Sequence, residues 1–510
     1  MRVPLTVADF LDRAAQVFAG TTATVDEPDQ PAAPVPTTTY GQFADRVRAW
    51  QAGFDALGVG EGERVAVVSH NSARLLELLH AVPASGRICV PVNFRLKPDE
   101  VSYVVEHSGA SVLLVDPELD LGGVTARHRF TLGRESDQLL RFDVEPRPWS
   151  APDEDATATL NYTSGTTARP KGVRLTHRNI WLNAVTFALH TRAWERDVYL
   201  HVLPMFHCNG WGMPFALAGV GAPQVVLRKV DGAEILRRVR DHGVTLMCGA
   251  PAVWNTVLDA ARTWEGEIPG RGRVRVVCAG APPPSRTIAR VTEELGWEFT
   301  QLYGLTETSP LLTFNRSRPG DDDLPPDERA HKLSRAGAPA LGVRVRVDGG
   351  GGEVLARSNV VMAGYWDDPG ATAEAVEDGW FHTGDGGSLD DEGHLTISDR
   401  KKDVIITGGE NVSSIEVEDA LFSHPAVAEA AVIGVPHDRW GETVKALVVL
   451  AGGARATEAE LIAHCKARLA GFKAPTSVEF RDAIPRTATG KVQKFRLREP
   501  YWADRDRKVN

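Results

Sequence analysis

Cysteine is scarce in this chain: Cys89, Cys208, Cys248, Cys278 and Cys465 are scattered through 510 residues, with no CxxC pair. That spacing excludes a disulfide framework and the common cysteine zinc sites. A reduced, cytoplasmic protein with buried thiols is expected. A long basic run is also missing. The net charge of −10 is spread along the chain, which argues against nucleic acid as the main partner. No stretch approaches the roughly 20 uncharged apolar residues of a membrane span. The N-terminus, MRVPLTVADFLDRAAQVFAG, has acidic residues where a signal peptide needs an unbroken apolar segment, and reads as an amphipathic helix from near Thr6. Internal repeats are lacking too.

A chain of 510 residues exceeds one ordinary core, so at least two domains are expected. Short apolar runs at 64–70, 88–93, 110–116, 223–228 and 274–280 alternate with helical stretches at 71–85, 97–107, 178–190, 231–242 and 251–262. This alternation predicts parallel α/β sheets. Beyond about residue 335 the strands shorten. VRVRVDGGGGEVLAR (343–357) predicts a hairpin in a small β subdomain, and the polar segment 315–335 reads as a mobile surface loop. After Asp399-Arg400-Lys401-Lys402 a compact α+β pattern follows: helix 413–423, strands 426–433 and 444–450, helix 457–470, strand 477–481. The expected fold is therefore α/β. It has a large N-terminal domain (1–398) of two parallel-type sheets plus the β subdomain, a hinge (399–402), and a small, mobile α+β C-terminal domain (403–510).

Residues 162–173, YTSGTTARPKGV, gather Thr163, Ser164, Thr166, Thr167, Gly165, Gly172 and Lys171 into a short loop. Glycines admit an anion close to the backbone, hydroxyls donate hydrogen bonds and the lysine supplies charge, so the loop suits a polyphosphate such as ATP. It is not the common triphosphate loop, because Pro170 precedes Lys171 and a strand-like run follows. In QLYGLTETS (301–309), Tyr303 offers a face for a base. Thr306 and Glu307 join a hydroxyl to a carboxylate, which suits Mg²⁺ on phosphate oxygens. Alone, that segment reads equally well as a helix cap. In GWFHTGD (379–385), Asp385 could accept from two ribose hydroxyls. In PRTATGKVQK (485–494), a lysine stands on a Gly turn. A simple turn and a solvated lysine are the plain alternatives.

In order and context these segments resemble the adenylate-forming (AMP-binding) superfamily, closest to acyl-CoA synthetases of the fatty-acid type. The resemblance extends over PMFHCNGW (204–211), AGAP (279–282) and DRKKDVIITGGENVSSIEVE (399–418). It implies that Thr163, Ser164, Gly165, Thr166, Thr167 and Lys171 hold the β- and γ-phosphates, and that Thr306 touches the α-phosphate. Glu307 with Thr163 would hold Mg²⁺. Gly280, Ala281, Pro282, Gln301, Tyr303 and Gly304 would line the adenine slot, and Asp385 and Arg400 would take the ribose. Lys491 would be the catalytic lysine, Lys402 the hinge, and Gly408 and Gly409 the side facing CoA. His207 would line the junction of the acyl and nucleotide pockets, and Trp211 would gate the acyl tunnel; packing into the core is the alternative for both. Departures from the family pattern are Ala168, Cys208, Gly210, Ile406 and Asn411. His177 reads as structural.

The implied function is an ATP- and Mg²⁺-dependent acid–CoA ligase, acting on a medium- or long-chain fatty acid and releasing pyrophosphate and then AMP. A stand-alone adenylating enzyme that passes the acid to a carrier protein or another nucleophile is the alternative. A silent nucleotide-binding protein would have no use for Lys491. A homodimer is compatible with the resemblance.

Overall fold

The runs at 64–68, 88–92 and 110–115 carry valine, isoleucine and leucine without alternation, the pattern of strands covered on both faces. In the computed structural model they form the strands Arg64–Val68, Ile88–Val92 and Ala110–Val115, paired in parallel. His128–Thr131 and Thr157–Thr163 extend this sheet in parallel, while Lys171–Thr176 and Gly364–Tyr365 close one edge antiparallel. The structure describes residues 1–503 other than 164–168, 350–351, 401–402, 409, 438 and 487–490, with the backbone alone at Asp322.

A second, nine-stranded sheet has six parallel strands: Thr22–Val25, Gln224–Val226, Tyr199–His201, Leu246–Gly249, Arg275–Cys278 and Glu298–Gly304. Antiparallel strands Leu311–Arg316, Ala338–Pro339 and Thr38–Thr39 finish its edges. The helix Ala73–Ala84 is buried almost all round. Its one acid, Glu77, accepts from Arg46 Nε (2.6 Å) and Trp50 Nε1 (2.8 Å), which offsets the cost of burying it. The expected hairpin forms as Val343–Val347 and Glu353–Ser358, and joins Trp380–Leu389 and Leu395–Arg400 in a small sheet.

A fourth sheet is made by Ile405–Thr407, Glu410–Val412, Val427–His437, Gly441–Leu450 and Ser477–Phe480. The helices Ser414–Phe422, Glu458–Lys466 and Lys494–Trp502 accompany it. This body is docked on the rest of the chain. Asp419 accepts from the Ser285 backbone N–H (2.9 Å) and hydroxyl (3.1 Å), and Arg286 donates to the His424 carbonyl (3.0 Å).

The segment 315–335 departs from the expected loop. It contains the helix Pro326–Ser334, which opens on proline and buries Ala330 and Leu333 one turn apart. Lys332 Nζ meets Asp321 Oδ1 at 2.5 Å, so part of the acidic run is an internal partner. The five cysteines are buried and unpaired. No helix among the described residues is long and apolar enough to cross a membrane.

Candidate functional site

Thr163 and Lys171 end two antiparallel strands and stand opposite each other, so the loop between them leaves from a fixed base. Ser164, Gly165, Thr166 and Thr167, with Ala168, lie outside the described residues, as do Lys402 and Gly409. Lys171 Nζ sits 4.9 Å from the centre of the Tyr365 ring, a cation–π distance. The Tyr365 hydroxyl donates to Glu307 Oε1 at 2.9 Å. Tyr365 thus touches a cation with its ring and an anion with its hydroxyl. It reaches this place because Gly364–Tyr365 adds to the edge of Lys171–Thr176, with Tyr365 opposite Val173.

Glu307 lies in a short turn, Thr306–Thr308, directly after the strand Glu298–Gly304. The turn is drawn tightly under the next strand. A Cβ on Gly304 would lie 1.6 Å from the Pro310 carbonyl oxygen, so only glycine fits. The Met362 N–H donates to the Glu307 carbonyl at 2.8 Å, and the buried Thr306 offers its carbonyl to the Cys208 thiol at 3.9 Å. Cys278 and Gln301 are in register, so Gly280, Ala281 and Pro282 leave the sheet at the same end as Tyr303 and Gly304. This is the carboxyl end of the parallel strands, where α/β sheets bind ligands. Gln301 is buried, and its Oε1 has no hydrogen-bond partner among the described residues.

Asp385, expected on a turn, lies within the strand Trp380–Leu389, opposite Arg400. Its Oδ2 accepts from the Tyr303 hydroxyl at 2.7 Å, and its Oδ1 lies 3.6 Å from Arg400 Nε. Burial pushes its carboxyl above the usual range, while Arg400, Tyr303 and Lys491 pull it back down. Lys491 comes from the far end of the chain. Arg486 bridges Val492, and the Gln493 N–H donates to the Pro485 carbonyl at 2.9 Å, which ties the chain beside Lys491 to Pro485 and Arg486. Burial and nearby Arg400 depress the Lys491 ammonium, and Asp385 and Glu307 oppose them. The docked C-terminal body therefore brings Lys491 into the field of Asp385, Glu307 and Arg400. Gly408 is left on the same body, its N–H on the Trp440 carbonyl at 3.0 Å.

His207 opens a segment with unusual backbone. Cys208, Asn209, Gly210, Trp211 and Gly212 all have φ between +45° and +79°. A left-handed turn costs roughly 1–2 kcal/mol for each ordinary L-residue in it. Cys208 and Trp211 are such residues, and both are buried. The His207 imidazole is held down to about 4 by burial and by the Lys491 charge, so it is neutral at pH 7. His177, in contrast, is a buried support that accepts from the Val7 N–H at 3.4 Å.

The described residues thus bring Thr163, Lys171, His207, Gly280, Tyr303, Thr306, Glu307, Asp385, Arg400 and Lys491 to one end of the two large sheets. Among them no group of three or more His, Cys, Asp or Glu side chains could hold a metal unaided. One carboxylate with hydroxyls fits Mg²⁺ that also binds substrate phosphates. The sequence reading missed Tyr365. No local signal marks it, because its place follows from a pairing with residue 173, far off in the chain.

Comparison with known proteins gives the family. Residues 11–366 match the family described as AMP-binding enzyme, and residues 416–491 its C-terminal domain. Among curated relatives, 2-methylpropanoate–CoA ligase CCL4 of Humulus lupulus is 38% identical, over 97% of this chain and 95% of its own. The 4-hydroxybutyrate–CoA ligase 2 of Metallosphaera sedula is 37% identical, over 97% and 94%. Among solved structures, O-succinylbenzoate coenzyme A synthetase from Bacillus subtilis, in complex with ATP and magnesium ion, superposes with a TM-score of 0.81. It is 29% identical, over 96% of this chain and 99% of its own.

Proposed function

This chain belongs to the AMP-binding enzymes and is an acid–thiol ligase; on that premise we propose that it joins an aliphatic carboxylic acid to CoA through an acyl-adenylate. The observation that carries the reading is Lys491, delivered by the C-terminal body into the field of Asp385, Arg400 and Glu307. A binding protein has no need of such a cation.

In the first half-reaction the acid's carboxylate oxygen attacks the α-phosphorus of ATP. A C–O–P bond forms, the Pα–O–Pβ bond breaks, and pyrophosphate leaves with the electron pair. Both reactants are anions, so the step needs fixed positive charge and donors where negative charge grows. Lys491 and Thr306 supply these at the α-phosphate, and Thr163, Lys171 and the loop hydroxyls at the β,γ pair. Asp385 and Arg400 orient the ribose, and Tyr303 with Gly280, Ala281 and Pro282 encloses the base. Glu307 and Thr163 would hold Mg²⁺, which supplies charge neutralisation on the phosphates. Neutral His207 and Trp211 face the acid.

In the second half-reaction the CoA sulfur attacks the acyl carbon. A C–S bond forms, the mixed anhydride opens, and AMP leaves. We assign Lys491 to the first step alone and the Gly408–Gly409 face to the second, with the C-terminal body turning near Lys402 between them. The boundary at 399–402 belongs to this proposal. Relatives named for 2-methylpropanoate and 4-hydroxybutyrate support small aliphatic acids as the first candidates here, ahead of medium- or long-chain acids. Five buried, unpaired cysteines fit a reducing compartment such as the cytoplasm. The test is a panel of straight and branched acids, with pyrophosphate release and product mass measured with and without CoA. Acid-dependent pyrophosphate release with an acyl-CoA product supports the reading. Adenylate that accumulates without reacting with CoA overturns the choice of acceptor.

A further inference from the structure

Beneath the left-handed turn three buried side chains close a ring of hydrogen bonds. Thr159 Oγ1 donates to Asn161 Oδ1 at 2.8 Å, and Asn161 Nδ2 donates to Asn209 Oδ1 at 3.2 Å. Asn209 Nδ2 donates back to Thr159 Oγ1 at 3.0 Å. Each of the three is at most 2% exposed. Thr159 and Asn161 are alternate residues of the strand Thr157–Thr163 and share one of its faces. Two polar groups on a dry face are costly unless every donor finds an acceptor. In the ring each of the three side chains donates once and accepts once, Asn161 Nδ2 also lies 3.4 Å from the Phe206 carbonyl, and in a closed ring each bond polarises the next.

Its third member is no neighbour of the strand in sequence. Asn209 belongs to the turn that carries His207 and Trp211, and its own φ is +53°. Asparagine accepts the left-handed region more readily than cysteine or tryptophan. The ring therefore anchors the turn at the residue best able to bear its conformation. Two further amides brace the ends. Asn183 Nδ2 donates to the Trp211 carbonyl at 3.1 Å, and Asn71 Oδ1 accepts from the Met205 N–H at 2.8 Å.

We propose that Thr159, Asn161 and Asn209 are positioning residues that determine acid specificity. By holding 208–212 left-handed they set where Trp211 stands against the acid's chain. The inference rests on the reading above, in which 207–211 faces the acid. None of the three needs to touch a substrate.

Thr159→Val removes the hydroxyl at nearly constant volume and opens the ring, while Thr159→Ser keeps it. Both are compared with wild type for the KM of each acid in a chain-length series, the KM of ATP and the melting temperature. Thr159→Val removes both ring bonds of Oγ1, and the expected result is an acid KM raised about tenfold or more. Its preference among chain lengths should flatten, with the ATP KM within about twofold. Thr159→Ser restores the wild-type profile. A folded Thr159→Val with the wild-type acid profile overturns the proposal, as does a parallel rise in the KM of acid and ATP. Should Thr159→Val not fold, Asn209→Gly gives the same readout, since glycine keeps the left-handed backbone and loses only the ring. Wild-type protein that releases no pyrophosphate with any acid overturns the acid-activating reading and this role with it. An active wild type with unaltered variants overturns this role alone.

Discussion

Replacement of Lys491 by alanine should divide the reaction in two. The ammonium is partly withdrawn from solvent, with Asp385 and Glu307 as opposing charges and Arg400 as a competing cation. A unit cation about 4 Å from a unit anion, at an effective dielectric of about 20, is worth about 4 kcal/mol. That corresponds to about 10³-fold in rate when the charge develops in the transition state, in line with the loss of a single oxyanion donor. Binding of ATP should change far less, because alanine also relieves the repulsion with Arg400. We therefore expect ATP–pyrophosphate exchange to fall about 10³-fold, while CoA thioester formation from synthetic acyl-adenylate stays within about threefold of wild type. The wild-type exchange rate should also decline on the alkaline side before pH 10.5, since burial lowers the lysine's affinity for its proton. The thioester step should lack that limb. Equal loss of both half-reactions in Lys491→Ala refutes the division.

Three other outcomes are expected. Tyr365→Phe keeps the ring beside Lys171 and removes the bond to Glu307, so half-saturating Mg²⁺ should rise about tenfold with the acid KM unchanged; a wild-type Mg²⁺ titration would sink this assignment. Asp419→Ala removes both bonds to Ser285 and should slow exchange about fivefold or more, with thioester formation unimpaired. If both steps fall together in stopped-flow assays, the contact is merely structural. His80, His177 and His201 are buried and held down to about 4. Unfolded imidazoles take up protons near 6.5 that the native ones refuse, so stability present above 6.5 should be lost as the pH falls toward 4. Urea midpoints at pH 7 and pH 5 give the measure, and a midpoint that rises on acidification contradicts the sign.

Much of the fold was legible because its strands are apolar runs without alternation. RVAVV and ASVLLV announce parallel strands wherever they stand, and the Gly run at 349–352 announces the hairpin around it. The helix Pro326–Ser334 was hidden because only Ala330 and Leu333 turn inward, too few to set a period against its charges. The separate motifs were visible, but not the contacts that join them. Tyr365 meets Glu307 through the pairing of Gly364–Tyr365 with Lys171–Thr176, and Asn209 meets Thr159 where the left-handed turn packs on a strand, both across long stretches of chain. Left-handed backbone at Cys208 and Trp211 runs against the preference of both residues, and it is held by hydrogen bonds from residues distant in the sequence, such as Asn183 to the Trp211 carbonyl.

Lys491 and Gly408 ride on one sheet. The turn that carries Lys491 is tied through Arg486 to Glu429 of Val427–His437 at 2.9 Å, and the residues before Gly408 pair with the neighbouring strand, Gly441–Leu450. One body carries both faces under the proposed division of labour, and turning it exchanges one for the other at the nucleotide. On that proposal the exchange acts as an escapement: CoA would gain its seat only after the lysine has left, and the lysine would return only when that seat is vacated. Under the proposed reaction, raising CoA cannot hasten the first step, and a kinetic trace should show pyrophosphate before thioester in every turnover.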